Sequence, residues 1–444
     1  MRKPSSPTLF DSFLEKSANR LLGRRRERSL ILLGVFIFFP FLLFLNMTGC
    51  SKADPRFELD ELYLLKLEKY LAPLSPPQKA NLEAVLIDLY GTPNEPTLPT
   101  SPSFDFLSLE DLKMAAGAVS STEEGHSHGL YRQHCADCHG LSGDGKGPRA
   151  LVIDPYPRDY RQGIFKFKST LRDQKPTHDD LKRIVEFGIP GTAMPSFRLL
   201  PENEKDRLVD YVIYLSIRGE TERQLAEYII DELEEGELLL DKAKGKGSPE
   251  VLEAKEIIDE IAEEIALSWK EAADYPISVS PSPLKQFTGE EREAKRLEMV
   301  LAGQTLFRTE TANCTKCHGV MAMGNGESQD YNDWEKAYFD ILSPDSGKEY
   351  LDAGAFPPRK ANPRNLRRGV FRGGYKPEDI YRRIHQGIAG TPMPSVIIKP
   401  ENAPDSIQGL TEYDIWCLVE YVRNLPYEEE SQGVRNGPLP PQIK

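Results

Sequence analysis

Apolar positions along this chain fall at helical spacing. Leu208, Val212 and Leu215 mark one such stretch, and Leu418, Val422 and Leu425 another. Each set lines one face of a helix. Between them, Leu225, Ile229 and Leu233, then Ile257, Ile261 and Ile265, predict amphipathic helices and not disorder. Nearer the front, LYLLKLEKYLAP reads as a short helical element, followed by a Pro-rich connection from Leu71 to Ser103. Within that connection NLEAVLIDLYG reads as a second helix, closed by Gly91 with Pro93 just beyond. The pattern predicts an all-α chain.

The segments repeat. PRDYRQGIFKF (157–167) matches PRNLRRGVFRG (363–373), LKRIVEFGIPGTAMPS matches IYRRIHQGIAGTPMPS, and LVDYVIYLS (208–216) matches LVEYVRNLP (418–426). The order is the same in both copies, so this is a domain duplication. Each copy reads as a helix, a Gly-rich loop, a second short helix, a loop and a closing helix.

Candidate chemistry sits at the front of each copy. The chain has six cysteines and seven histidines. Cys135, Cys138 and His139 form one C-x-x-C-H motif, and Cys314, Cys317 and His318 form a second. This is the attachment signature of haem c, in which two thiols add to the porphyrin vinyls and the histidine ligates iron. A zinc site built from two C-x-x-C pairs has them roughly 15–20 residues apart, far closer than here. A thioredoxin-like motif needs a βαβ context, which neither site has. Two covalently bound haems c are therefore expected.

Downstream, EFGIPGTAMPSF (186–197) and HQGIAGTPMPSV (385–396) each present one methionine in a Gly/Pro-stiffened loop. A lone methionine is ordinarily core filler. Met194 and Met393 stand at matching places after matching motifs, so axial iron ligation is expected for both; Met/His ligation raises a haem's potential. His385 is weighed as a replacement for Met393 and set behind it. His126, His128, His134 and His178 show no pattern.

With these motifs on view, the chain resembles class I cytochromes c twice over, particularly the small haem-c subunits of respiratory oxidases. The resemblance covers roughly residues 120–218 and 290–428. It implies an aromatic crossing between the helix before the motif and the closing helix, with Tyr131 and Phe307 facing Tyr211 and Tyr421. It casts Arg158 and Arg364, each after a proline, as haem-propionate partners, since arginine suits bidentate carboxylate contacts. It also assigns the carbonyl of Pro148 to the proximal His139. The second copy reads GNGES there, which leaves the partner of His318 open. That copy also carries an insertion over roughly 327–356, with Trp334, Tyr338 and Phe339, placed either over the haem edge or on the domain surface.

Residues 30–45 form an uninterrupted apolar run of sixteen residues behind Arg24, Arg25 and Arg26. The run is short for a span of about 20 residues and long for a signal core of 7–15. The basic flank predicts that residues 1–28 stay in the cytoplasm and the rest is exported. Cys50, in M-T-G-C, resembles the lipid-bearing cysteine of a bacterial lipoprotein. Transmembrane anchoring through residues 30–50 and lipid on Cys50 both stay open. Cys417, inside the last helix, is expected as a buried thiol.

Charge changes the picture in two places. Residues 220–274 carry 18 acidic and 6 basic residues, so nearly all of the chain's net charge of −13 falls there. This segment is expected as a solvated helical spacer, with docking of a basic partner as its alternative. In the second copy Arg359, Lys360, Arg364, Arg367, Arg368 and Arg372 make a local basic patch, suited to propionates or an acidic protein surface.

The expected organisation is a signal or membrane anchor (1–50), an N-terminal spacer (51–117), a first cytochrome c domain (118–219), an acidic helical linker (220–288), a second cytochrome c domain (289–428) and a C-terminal tail (429–444). The function expected is single-electron transfer in a respiratory chain, on the periplasmic side of a bacterial cytoplasmic membrane, without an enzymatic step. Partners would be a quinol-oxidising complex, a soluble cytochrome or a terminal oxidase, and not nucleic acid. A dihaem oxidoreductase, such as a peroxidase or thiosulfate-type dehydrogenase, is the alternative.

Overall fold

The computed structural model describes residues 54–433 apart from 122, 124, 126, 235, 340–346 and 405. The expected anchor at 30–50, Cys50, His126 and the tail from 434 onward lie outside the described residues. Among the described residues no helix is long and apolar enough to cross a membrane.

From Arg56 onward the chain forms a single compact helical unit. It opens with α1 (Glu61–Tyr70), α2 (Pro76–Tyr90) and α3 (Leu109–Ala115). Ser75 and Gln78 make a reciprocal capping box at the start of α2, and Gly91 ends it at φ 70°, as the Gly-Pro punctuation predicts. A two-residue antiparallel pairing, β1 (Ser120–Ser121) with β2 (Ser127–His128), precedes α4 (Leu130–His134) and α5 (Ala136–His139). The first copy continues with α6 (His178–Phe187) and α7 (Glu202–Glu232), and α8 (Pro249–Lys270) follows. The second copy holds α9 (Gly289–Phe307), α10 (Thr315–His318), α11 (Asp333–Lys336), α12 (Lys348–Asp352), α13 (Pro377–Gln386) and α14 (Glu412–Asn424).

The two copies differ at the helix before the motif. It runs 19 residues in the second copy and five in the first. Gly125 and Gly129, at φ 84° and 75°, interrupt helix in the first copy, and α3 packs on α7 instead. The expected aromatic crossings are present: Tyr131 meets Tyr211 at 4.9 Å between ring centroids, and Phe307 meets Tyr421 at 5.4 Å.

Neither spacer stands apart, which corrects the sequence reading. Phe57, Leu64, Leu82 and Tyr90 of the N-terminal segment share a core with Tyr131, Tyr211 and Tyr214 of the first copy. Ile258, Ala262, Ile265 and Trp269 of α8 join the same core. The closing helix of the first copy and the first half of the acidic segment are one 31-residue helix, α7. Apolar faces along both spacers leave no other low-energy place for them. The buried face of α8 is centred on Ile258, Ala262 and Ile265, and Ile257 and Ile261 flank it. A second core gathers Met299, Phe307, Tyr381, Trp416, Leu418 and Tyr421. Cys417 is fully buried there, as expected.

Candidate functional site

Each C-x-x-C-H motif folds as one helical turn. The amide of His139 donates to the carbonyl of Cys135 at 2.9 Å, and that of His318 to Cys314 at 2.9 Å. That turn brings both thiols and the imidazole to one side. Gly140 and Gly319, at φ 72° and 74°, then redirect the chain. None of the four motif cysteines is paired in a disulfide among the described residues.

The Gly-rich loop wraps back under the histidine. Gly145 donates to the His139 carbonyl and Gly324 to that of His318, both at 2.9 Å. A Cβ on Gly145 would stand 2.7 Å from the Pro157 carbonyl oxygen, and one on Gly324 2.3 Å from that of Pro363. The Pro-Arg segment therefore presses directly on the loop. Its next carbonyl reaches the imidazole: His139 Nδ1 lies 3.1 Å from the Arg158 oxygen, and His318 Nδ1 3.2 Å from that of Arg364. This corrects the assignment of Pro148, and it supplies the partner of His318 that the sequence left open. Both copies use the same device because both carry Pro-Arg at the matching place. Burial pushes His139 down to about 4 against the opposing pull of that carbonyl, and burial lowers His318 in the same way. A carbonyl oxygen can only accept, so Nδ1–H donates in each copy and Nε2 is left as a ligand atom.

The methionine loops are built alike. Thr192 accepts from the Met194 amide at 3.1 Å and donates to the Ile189 carbonyl at 2.8 Å. Thr391 does the same for Met393 and Ile388, at 3.2 and 2.8 Å. Gly188 and Gly387, both at φ 65°, end α6 and α13 where a side chain would strike the loop carbonyls.

These parts meet in one cavity of about 1310 Å³. Cys135, Cys138, His139 and Met194 line it from the first copy, and Cys314, Cys317, His318 and Met393 from the second. It exceeds a typical ligand pocket of roughly 300–1,000 Å³. Arg158 and Arg364 also line it, joined by Lys166 and Arg372. Burial lowers Arg158 and Arg372 to about 10 each and Lys166 to about 7, and lowers Arg364 as well. The Nε atoms of Arg364 and Arg372 are buried without a hydrogen-bond partner among the described residues. Under-paired cations around a cavity call for carboxylates. Haem carries two propionates, so the residues fit that group in shape, in ligand chemistry and in charge. Among the described residues, no three His, Cys, Asp or Glu side chains converge to hold a bare metal ion.

A family model described as cytochrome C oxidase, cbb3-type, subunit III matches residues 124–212, and a cytochrome c model matches residues 300–426. The chain carries two cytochrome c domains. Cytochrome c domains hold haem c covalently, so haem-based electron transfer is the chemistry these two support. No curated protein sequence matches the chain. Among solved structures, the reducing HAO-like protein complex of Kuenenia stuttgartiensis is similar at 24% identity, over 69% of this chain and 99% of that one, with a TM-score of 0.40. That superposition is loose, and the two cytochrome c domains rest on the family matches.

Sequence reasoning missed part of the cavity wall. Lys166 carries no signal of its own in the sequence, and its counterpart Arg372 is visible only as one member of a basic patch. The two occupy matching places in the repeat, so aligning the copies for charge would have found both. His134 lines the cavity beside Phe197, and its neighbour Cys135 drew the attention instead. Trp334 lies in the insertion, where no counterpart exists to show its role. The other spare histidines have separate roles. His178 pairs with Asp210 at 3.3 Å, and His385 stacks on Tyr381 and bonds Gln386, away from the cavity.

Proposed function

We propose that this protein carries electrons one at a time between partner redox proteins, through two haem c groups housed in the shared cavity. The observation that carries the reading is that cavity itself, into which both motifs and both methionine loops open. Cys135 and Cys138 would attach one group and Cys314 and Cys317 the other, each thiol S–H adding across a vinyl double bond. His139 with Met194, and His318 with Met393, would supply the axial ligands, and Arg158 and Arg364 the propionate contacts. When bound, haem c supplies a one-electron ferric/ferrous couple. The chain holds each imidazole with Nδ1–H toward a backbone carbonyl and offers thioethers that would favour the reduced state; with both His and Met on the iron, no position would be left for substrate. That arrangement favours transfer over substrate chemistry.

The apolar run at 30–45 and Cys50 support a tether, by span or by lipid, on the periplasmic side of a bacterial cytoplasmic membrane. The likeness to an oxidase subunit supports a quinol-oxidising complex or soluble cytochrome as donor and a terminal oxidase as acceptor. An optical redox titration of the purified exported protein tests the reading, following the near-infrared band of Met-ligated ferric haem c. Wild type is expected to show two such haems at positive potential, both slow to bind cyanide. Met194→Ala and Met393→Ala are each expected to remove half of the band, lower one potential and open one haem to cyanide. A wild-type haem without the band, or one that binds cyanide readily, would assign that copy to catalysis.

A further inference from the structure

The start of the insertion in the second copy, residues 331–335, belongs to the site of the first. Tyr331 bridges to Lys360, and Asn332 with Glu335 caps the single turn of α11. The amide of Asp333 donates to the carbonyl of Gly390 at 3.2 Å, within the Met393 loop. Trp334 then turns its ring toward the first copy. The Arg158 guanidinium lies over that ring, 3.7 Å from its centroid, and Lys166 Nζ lies at 4.6 Å. A Cβ on Gly390 would stand 2.3 Å from Trp334 Cζ3, so glycine there is what lets the indole lie against the loop. Arg158 is also the residue whose carbonyl holds His139. One connected path thus runs from the imidazole of the first copy, through Arg158 and Trp334, to the methionine loop of the second.

We propose that Trp334 is a positioning residue: it holds the Arg158 guanidinium dry and fixed at the edge of the first haem site, and so sets that haem's reduction potential from the other domain. The proposal rests on the electron-transfer reading above. A cation over an indole face is attracted by the ring quadrupole, most strongly when desolvated. A positive charge kept from water acts over a longer distance than a hydrated one. Fixed at the wall of the first haem site, that charge would favour the ferrous state of a haem held there. Freed into water, it is screened and the potential falls.

Redox titration of the full-length protein tests this with four variants: Trp334→Leu, Trp334→Phe, Arg158→Leu, and a double variant combining Trp334→Leu with Arg158→Leu. Trp334→Leu keeps apolar bulk but removes the ring face. It is expected to lower one of the two midpoints by up to a tenfold shift in the reduction equilibrium, about 59 mV for one electron. Trp334→Phe is expected to retain the wild-type midpoint. Arg158→Leu is expected to move the same haem, and the double variant to move it no further than Arg158→Leu alone. Unmoved midpoints in fully haem-loaded Trp334→Leu overturn the proposal, as do shifts that simply add. Should Trp334→Leu not fold, Arg158→Leu decides alone, since an unmoved midpoint there removes the charge on which the argument depends. A wild-type chain that carries no haem c would bring down the electron-transfer reading as well, an outcome distinct from loaded haems that do not respond.

Discussion

Asp60 is 2% exposed and ionised. Burial alone would raise its carboxyl, but Arg161 at 3.3 Å and Arg223 at 2.5 Å overcome that and hold it at about 2. Glu222, paired with Arg218 at 2.9 Å, accepts from the Asp60 amide. Arg161 is three residues beyond Arg158, so this buried cluster fixes the segment that holds His139. The folded value lies below the ordinary 3.8, so ionised Asp60 contributes stability that is complete above about pH 4 and is lost as pH falls toward 2. Asp60→Asn takes the carboxylate from part-buried Arg223 and leaves buried Arg161 with Asp159 alone, and is expected to cost about 3 kcal/mol at neutral pH. Urea unfolding should show the gap between wild type and variant narrowing from pH 4 to pH 2. A gap that stays constant with pH would mean the carboxylate charge contributes nothing. The haem motifs were legible in the sequence because five consecutive residues carry them. This cluster was not, because Asp60, Arg161 and Glu222 lie far apart in the chain and only the fold brings them together.

Gly303 shows the same limit among the elements. The closing helix α14 was legible from its spacing, and so was the aromatic pair Phe307 and Tyr421. The closeness of the crossing was not. A Cβ on Gly303 would stand 2.0 Å from the Cys417 carbonyl oxygen and 2.8 Å from Tyr421 Cβ, so α9 and α14 meet backbone to backbone. Alanine is the better helix former by about 1 kcal/mol, and in an open helix Gly303→Ala would stabilise. At this crossing the helices must separate, and a cost of about 1–3 kcal/mol is expected. Thermal unfolding of Gly303→Ala decides by its sign: a raised melting temperature would contradict the close crossing. In the first copy the helix before the motif is only five residues long, and α3 packs on α7 in its place. Sequence repeats showed what the copies share. They did not show how the first copy replaces what it lacks.

At the scale of the molecule, the first copy shares its core with the segments on both sides of it. Leu82, Val85, Leu86 and Tyr90 precede it, Leu225, Ile229, Ala262 and Trp269 follow it, and all are buried in its core. The Tyr90 hydroxyl lies 2.8 Å from Thr221 Oγ1, joining the two flanks directly. The second copy gathers a core with Leu284 and Val279 of the linker, Trp416 donates to Ser280 at 3.1 Å, and Tyr350 and Ala355 of its insertion pack on Leu62 of α1. Between the copies, Arg183 pairs with Asp379 at 2.6 Å, Arg172 reaches the Met393 carbonyl at 3.2 Å and Arg372 the Gly191 carbonyl at 3.2 Å, and Tyr156 meets the Phe356 ring at 4.8 Å. A small domain stripped of half its apolar partners falls below the burial needed to offset chain entropy. Residues 118–219 expressed alone are therefore expected to lack cooperative unfolding, whereas 56–276 and 277–433 are each expected to unfold cooperatively. Circular dichroism melts of the three fragments test this. A cooperative melt from 118–219 would mean that the flanking helices cover a core already complete, and that the acidic segment is free to serve another surface.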